Sequence, residues 1–231
     1  MTRPISAAVT AILFALFMVS AAPPARAASD EQELVDKSRL TIEKLVADKA
    51  FGTMKSMLED AKGVLIIPSL LKGAFIFGAE GGSGVLLART ENGGWSYPAF
   101  YTMGGGSVGF QIGAQASEVV LLLMNEGALS AVMKNQIKLG ADVSAAIGPV
   151  GAGIEGSTTT NLNADVVAFS SNAGLFGGIS LEGSVINGRE SHNEAYYGSG
   201  ATAHAILVEG KLVNHGADAL RAFLASTTPK K

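Results

Sequence analysis

The sequence predicts an α+β fold: a strongly curved, glycine-rich, mainly antiparallel sheet or partial barrel, packed with an N-terminal amphipathic helix, a short central helix and a C-terminal helix. Three observations predict it. Residues 29–49 carry apolar side chains at helical spacing. After Lys62 the chain breaks into short apolar segments separated by glycine and polar turns. Glycine supplies 29 of the 231 residues, about twice the usual share, and most of it lies between Gly63 and Gly200.

Residues 1–27 stand apart from the fold. Arg3 gives a short positive start, "ISAAVTAILFALFMVSAA" is an uncharged apolar run, and "PPARA" offers Ala25 and Ala27 as a small-x-small cleavage site. The reading is a secretory signal cut after Ala27; the alternative is an uncleaved anchor. An exported chain then resides in the periplasm, on the outer-membrane surface or in the medium. The rest, about 200 residues, suits a single domain in which 28–60 is a helical segment and 61–231 a glycine-rich core.

Charge and cysteine content narrow the function. The whole chain has 17 basic and 20 acidic side chains, and losing Arg3 and Arg26 with the signal makes the balance more negative. That argues against a nucleic-acid partner. With no cysteine there is no disulfide framework, thiolate metal site, cysteine nucleophile or lipidated cysteine.

Ser29 opens the first helix as an N-cap, with Gln32 at the reciprocal capping-box position and Glu31, Glu33 and Asp36 in or near the first turn. Leu34, Val35, Ile42, Leu45 and Val46 form its apolar face. Such a face either covers a sheet or dips into a membrane interface. A second helical piece spans 53–60 with Met54, Met57 and Leu58. Six strand-like segments follow between 63 and 126, and Asn92-Gly93 predicts a type I′ hairpin joining a strand that ends at Arg89 to one that starts at Trp95. A short helix is expected at 125–135, strand pieces near 137–148, 165–171 and 174–186, and a final helix at 214–225.

Candidate chemistry is sparse. Gly105-Gly106-Ser107-Val108-Gly109 fits the G-x-S-x-G pattern of serine hydrolases. In so glycine-rich a chain roughly 0.3 matches arise by random placement and clustering of glycines raises that, so one match says little, and an elbow needs a helix directly after the serine where "VGFQIGAQ" reads as strand. A triad would draw on His192 and Asp165. His192 with Glu194 offers too few ligands for a metal, and the 161–165 segment imitates half a calcium loop but has Val166 where glycine is required. Glu118 reads as a strand-end charge or as an interior carboxylate. The reading is a protein that is not an enzyme and has no cofactor.

Five blocks in order carry a resemblance: "AKGVLIIPSLLKGAFIFGAEGGSGVLLAR" (61–89), "GGWSYPAFYTMGGGSVGFQIGAQASEVVLLLMNEGAL" (93–129), "KLGADVSAAIGPVG" (138–151), "GLFGGISLEGSVI" (174–186) and "NEAYYG" (193–198). They resemble the SYLF domain, found in bacterial exported proteins and in eukaryotic proteins that join it to SH3 or FYVE modules. The resemblance implies phospholipid binding, with phosphoinositides preferred by eukaryotic members through an N-terminal amphipathic helix and basic residues. Some fungal members bind actin filaments, a property not carried over to an exported chain. Here the first helix is mixed in charge, and the block before "GLF" has Phe169, Asn172 and Ala173 where the family often has a tyrosine and a basic residue. Phosphoinositide selectivity is therefore not carried over.

The resulting expectation is a lipid-binding envelope protein. Lys62, Lys72, Arg89, Lys134 and Lys138 are the candidate phosphate contacts, each worth about 1 kcal/mol near an anionic surface, and Leu34, Val35, Ile42, Leu45 and Val46 the candidate membrane-facing positions. The rivals are an envelope protein that binds another protein, and a hydrolase using Ser107.

Overall fold

The structure is a computed structural model and describes residues 29–74, 77–108, 113–134, 136–148, 163–171 and 183–228. Residues 1–27, read from the sequence as a signal, and the "GLFGGISLE" text lie outside the described residues. Helix α1 (Asp30–Ala47), a 3₁₀ turn (Lys49–Phe51) and α2 (Gly52–Asp60) precede four long strands: β1 (Gly63–Ala74), β2 (Phe77–Ala88), β3 (Ala99–Val108) and β4 (Gly113–Leu123). Then come α3 (Glu126–Met133), β5 (Ile137–Lys138), β6 (Ala145–Ile147), β7 (Val166–Ser170) and β8 (Val185–Gly188). The chain closes on α4 (Glu190–Tyr197), α5 (Ala203–Leu207), a 3₁₀ turn (His215–Ala217) and α6 (Asp218–Thr227).

The strands form one curled half-barrel sheet in the order β5-β8-β3-β2-β1-β4-β7-β6. Every pair is antiparallel except β6 with β7. Both faces of its central part are buried. Val64, Ile66, Val85, Leu87, Phe100, Val120 and Leu122 point outward under α1, α2, α4 and α6. Leu65, Ile67, Leu86, Tyr101, Val119 and Leu121 point to the concave side, closed by α3 and α5. A strand buried on both faces has no polar alternation to show, which is why "GVLII", "GVLLA" and "VVLLL" are continuous apolar runs.

The expected helices and the hairpin are present, with Arg89 bridged to Trp95, but the turn is not type I′: Gly93 alone of the Asn92-Gly93 pair has a positive φ, +79°, and its N–H donates to the Thr90 carbonyl at 2.8 Å. Two further details differ. Ser29 caps α1 by accepting from the Gln32 backbone N–H at 3.2 Å, but the Gln32 side chain does not close a capping box. It donates to the carbonyl of Gly216 and accepts from the Tyr196 hydroxyl, tying α1 to α4 and the last 3₁₀ turn. The segment 190–197, to which the sequence reading assigns no element, is helix α4, which buries Asn193 and Tyr196.

Curvature comes from β1. Between Ile66 and Leu71 it has one residue more than β2, and between Ile67 and Leu70 one more than β4. The surplus is a bulge at Pro68-Ser69, where the missing proline N–H breaks no ladder bond. The bulge presses β1 backbone onto β2. A Cβ at Gly82 would lie 2.5 Å from the Ser69 carbonyl oxygen, and one at Gly84 would overlap the carbonyl oxygen of Ile66. Gly84→Ala therefore lowers stability by about 1–3 kcal/mol in urea unfolding. Gly52, helical and with nothing within 4 Å of its would-be Cβ, gains about 0.4–1 kcal/mol as Gly52→Ala in the same assay.

Candidate functional site

The apolar face of α1 is spent on the sheet. Val35, Ile42 and Leu45 are 0–1% exposed, and Leu34 and Val46 pack against the same cluster. Withdrawing the three buried side chains costs about 1.5–3 kcal/mol each, a sum comparable to the whole stability of a domain. These five positions hold the helix to the sheet, the first of the two uses read for this face.

The five candidate cations do not gather into one patch. Lys62 and Lys72 flank β1 at opposite ends, about 30 Å apart at strand rise, while Lys134 and Lys138 are exposed near α3 and β5. Arg89 is a structural clamp. Its guanidinium donates to the carbonyls of Leu58 and Glu59 at the end of α2 and to Thr228 Oγ1 after α6, and lies 4.1 Å from the Trp95 ring centre. Those carbonyls are the ones a helix C-terminus leaves unpaired.

The residues weighed for catalysis are also apart. Ser107 lies near the end of β3, paired with Gly78 one position from the end of the β2–β3 ladder, and the next described element is another strand. His192 pairs with Glu31 at 2.9 Å. Asp165 accepts from Asn125 and from the Ser144 backbone and hydroxyl, which hold its carboxyl below the ordinary carboxylate range. Glu194 accepts from the Gly200 N–H, and Glu118, an outward-facing strand residue, pairs with Lys44 at 2.7 Å. No cluster of metal-ligating side chains occurs among the described residues.

What the sequence reading missed is the division of the outer sheet face. Its helix-covered half ends at a polar row, Thr102 and Ser83 opposite one another on β3 and β2 and Glu118 on β4. Beyond the bulge, the outward positions are Leu71 and Gly73 on β1, Ala79 and Gly81 on β2, Gly104 and Gly106 on β3 and Ala116 on β4, in register across four strands. Leu71 is 60% exposed, and Gly73, Ala79, Gly81, Gly106 and Ala116 are exposed too. Among these described positions there is no charged side chain, and Leu71 is the one that is larger than alanine.

At its border, under the N-terminal end of α1, opens a cleft of about 370 Å³ lined by Asp30, Glu33, Lys37, Ser83, Arg189 and His192, with Leu34 at its wall. Arg189 Nη1 donates to Ser83 Oγ at 3.0 Å, and Lys37 bridges Glu33 at 2.6 Å, which holds the Glu33 carboxyl below its ordinary value. Burial pushes the Glu31 carboxyl up, but its own backbone N–H, the Ser29 hydroxyl and His192 outweigh that and hold it low. Ser83 and Gly81 are successive outward residues of β2, so cleft and bare face are continuous.

Known proteins share much of this chain. The family model described as "Ysc84: Las17-binding protein actin regulator" matches residues 104–227. "SH3 domain-containing YSC84-like protein 1" of Bos taurus is 36% identical over 152 residues, 65% of this chain and 44% of that protein. "Protein YSC84" of Saccharomyces cerevisiae is 37% identical over 173 residues, 74% of this chain and 37% of that protein. "LAS seventeen-binding protein 3" of the same yeast is 37% identical over 154 residues, 65% of this chain and 33% of its own length. The matched stretches thus span less than half of these relatives, and none of the three is named as an enzyme.

The clamp reading of Arg89 has a direct consequence. Arg89→Ala lowers stability by about 1–3 kcal/mol, since it removes the charged donor from the part-buried Leu58 carbonyl and Thr228 hydroxyl and from the exposed Glu59 carbonyl. Lys134→Ala and Lys138→Ala stay within about 0.5 kcal/mol of the parent in the same denaturation series.

Proposed function

The chain belongs to the Ysc84, or SYLF-domain, family, and on that premise we propose that it is a non-enzymatic phospholipid-binding protein of the cell envelope. One observation carries the reading: beyond the bulge no helix among the described residues covers the outer sheet face, and its described outward positions are uncharged and, apart from Leu71, small. Four strands at about 4.8 Å spacing and about 10 Å of length make roughly 200 Å². That is far below the ~800 Å² per partner of a standard protein interface. Set into the boundary between headgroups and acyl chains, such an area contributes about 5 kcal/mol at ~25 cal/mol per Å². Leu71 is the side chain that enters the interface, and Lys37 and Lys44 on α1, with side chains 59% and 66% exposed, stand at headgroup level beside it.

This places binding on the sheet and not on the apolar side of α1. It also leaves Lys62, Lys134 and Lys138 as accessory cations, away from the surface that enters the interface. The envelope location is supported by the secretory signal read from the sequence of residues 1–27.

Protein binding is the second reading, favoured by the relatives' names, which speak of Las17. In the envelope it would appear as a stoichiometric partner that survives delipidation in a pull-down from membrane extract.

The lipid reading is tested by co-sedimentation with anionic and zwitterionic vesicles. The parent protein pellets with vesicles; Leu71→Asp loses most of that binding while its stability stays within about 0.5 kcal/mol, because the side chain is solvent-exposed. No pelleting with any mixture contradicts the proposal.

A further inference from the structure

Resting on the lipid reading, we infer that the cleft beneath the α1 N-terminus receives a zwitterionic headgroup of the phosphoethanolamine class, phosphate toward Arg189 and ammonium toward Asp30 and Glu33. The cleft is balanced in charge: Arg189 and Lys37 face Asp30 and Glu33. A headgroup that is only anionic meets the two carboxylates, and one that is only cationic meets the guanidinium. A group carrying both charges satisfies both sides.

Geometry assigns the two ends. Arg189 Nη1 is held by Ser83 Oγ, and its other guanidinium N–H groups have no partner among the described residues. A guanidinium so oriented offers a phosphate the paired donors that suit it. His192, held through Nδ1 by Glu31, lines the same wall. Across the cleft, Asp30 and Glu33 present carboxylates on the first turn of α1.

The amine class follows from what the cleft lacks. A quaternary ammonium such as choline has no N–H to give a carboxylate and is recognised by aromatic faces, yet no Phe, Tyr or Trp is among the lining residues. A primary ammonium has three N–H donors for Asp30 and Glu33. The volume, about 370 Å³, lies at the lower end of small-molecule sites. The source is a membrane lipid and not a soluble ester, because the cleft opens onto the bare apolar face through Ser83 and Gly81, where acyl chains continue.

The test is flotation of the whole mature protein with phosphatidylcholine vesicles containing one-third phosphatidylethanolamine or one-third phosphatidylglycerol. Phosphatidylethanolamine raises binding at least fivefold over phosphatidylcholine alone and more than phosphatidylglycerol does. Arg189→Lys, and separately the double variant Asp30→Asn with Glu33→Gln, abolish that preference while keeping the phosphatidylcholine baseline. The two variants lie on different elements, so misfolding of one leaves the other informative, and thermal unfolding checks both. A preference retained in both variants, or a larger response to phosphatidylglycerol, overturns the headgroup assignment and leaves the lipid reading intact. Binding of soluble glycerophosphoethanolamine without any vesicle binding overturns the membrane source, and absence of binding to every vesicle removes the reading beneath it.

Discussion

The bulge at Pro68-Ser69 is the constraint on which the rest depends. A central strand with one surplus residue must push its backbone toward a neighbour, and it does so against Gly82 and Gly84, whose missing Cβ atoms make the room. The bulge also keeps Ile67 and Leu70 on the same concave side although they are three residues apart, and sends Leu71 outward. The sheet is thereby divided. On one side of the bulge four helices cover its outer face; on the other, four strands continue with no helix over them among the described residues. A straight β1 would offer α1 a flat sheet to cover from end to end, and no boundary at which a cleft opens.

Glycine has different uses on the two sides of this boundary. Gly82 and Gly84 allow strand contact. Gly105, in the "GGGSVG" text that imitates a hydrolase elbow, faces the concave side, where a Cβ would come 2.8 Å from Ser184 Oγ and 3.2 Å from Glu80 Oε1. Glu80 leans over it to accept from Ser184, while its other oxygen is buried without a partner. Gly73, Gly81 and Gly106 serve the outer face simply by adding nothing to it. Flatness there is a property of the missing side chains.

Much of the fold was legible in the sequence because it rests on local signals. Ser29 and Asn125 each accept from the backbone N–H three residues on, so α1 and α3 announce their starts. Asn92-Gly93 marks the hairpin, and the switch from helical spacing to short apolar runs separates α2 from the sheet. Helix α4 has no such signal: Arg189 gives it no side-chain cap, and its inward residues, Asn193 and Tyr196, are polar or amphipathic. The candidate site was hidden for another reason. Its residues come from α1, β2 and the entry to α4, spread from position 30 to position 192, and are joined only by folding. The same distance effect left both uses open for α1, whose apolar face meets strand residues that no local pattern pairs with it, and hid the role of Arg89, whose partners lie at 58, 59 and 228.

The central claim is that the bare half of the outer face, and not the apolar side of α1, meets the membrane. The absence of cysteine from the sequence permits a single nitroxide label at a chosen position. Depth measurement by oxygen and nickel-chelate relaxation on vesicle-bound protein, with the label at Ala79→Cys on the bare face and at Val208→Cys after α5, separates the alternatives. The account predicts that the label at 79 passes from water into the headgroup–acyl boundary while the label at 208 remains aqueous. A label at 79 that stays aqueous on bound protein contradicts it.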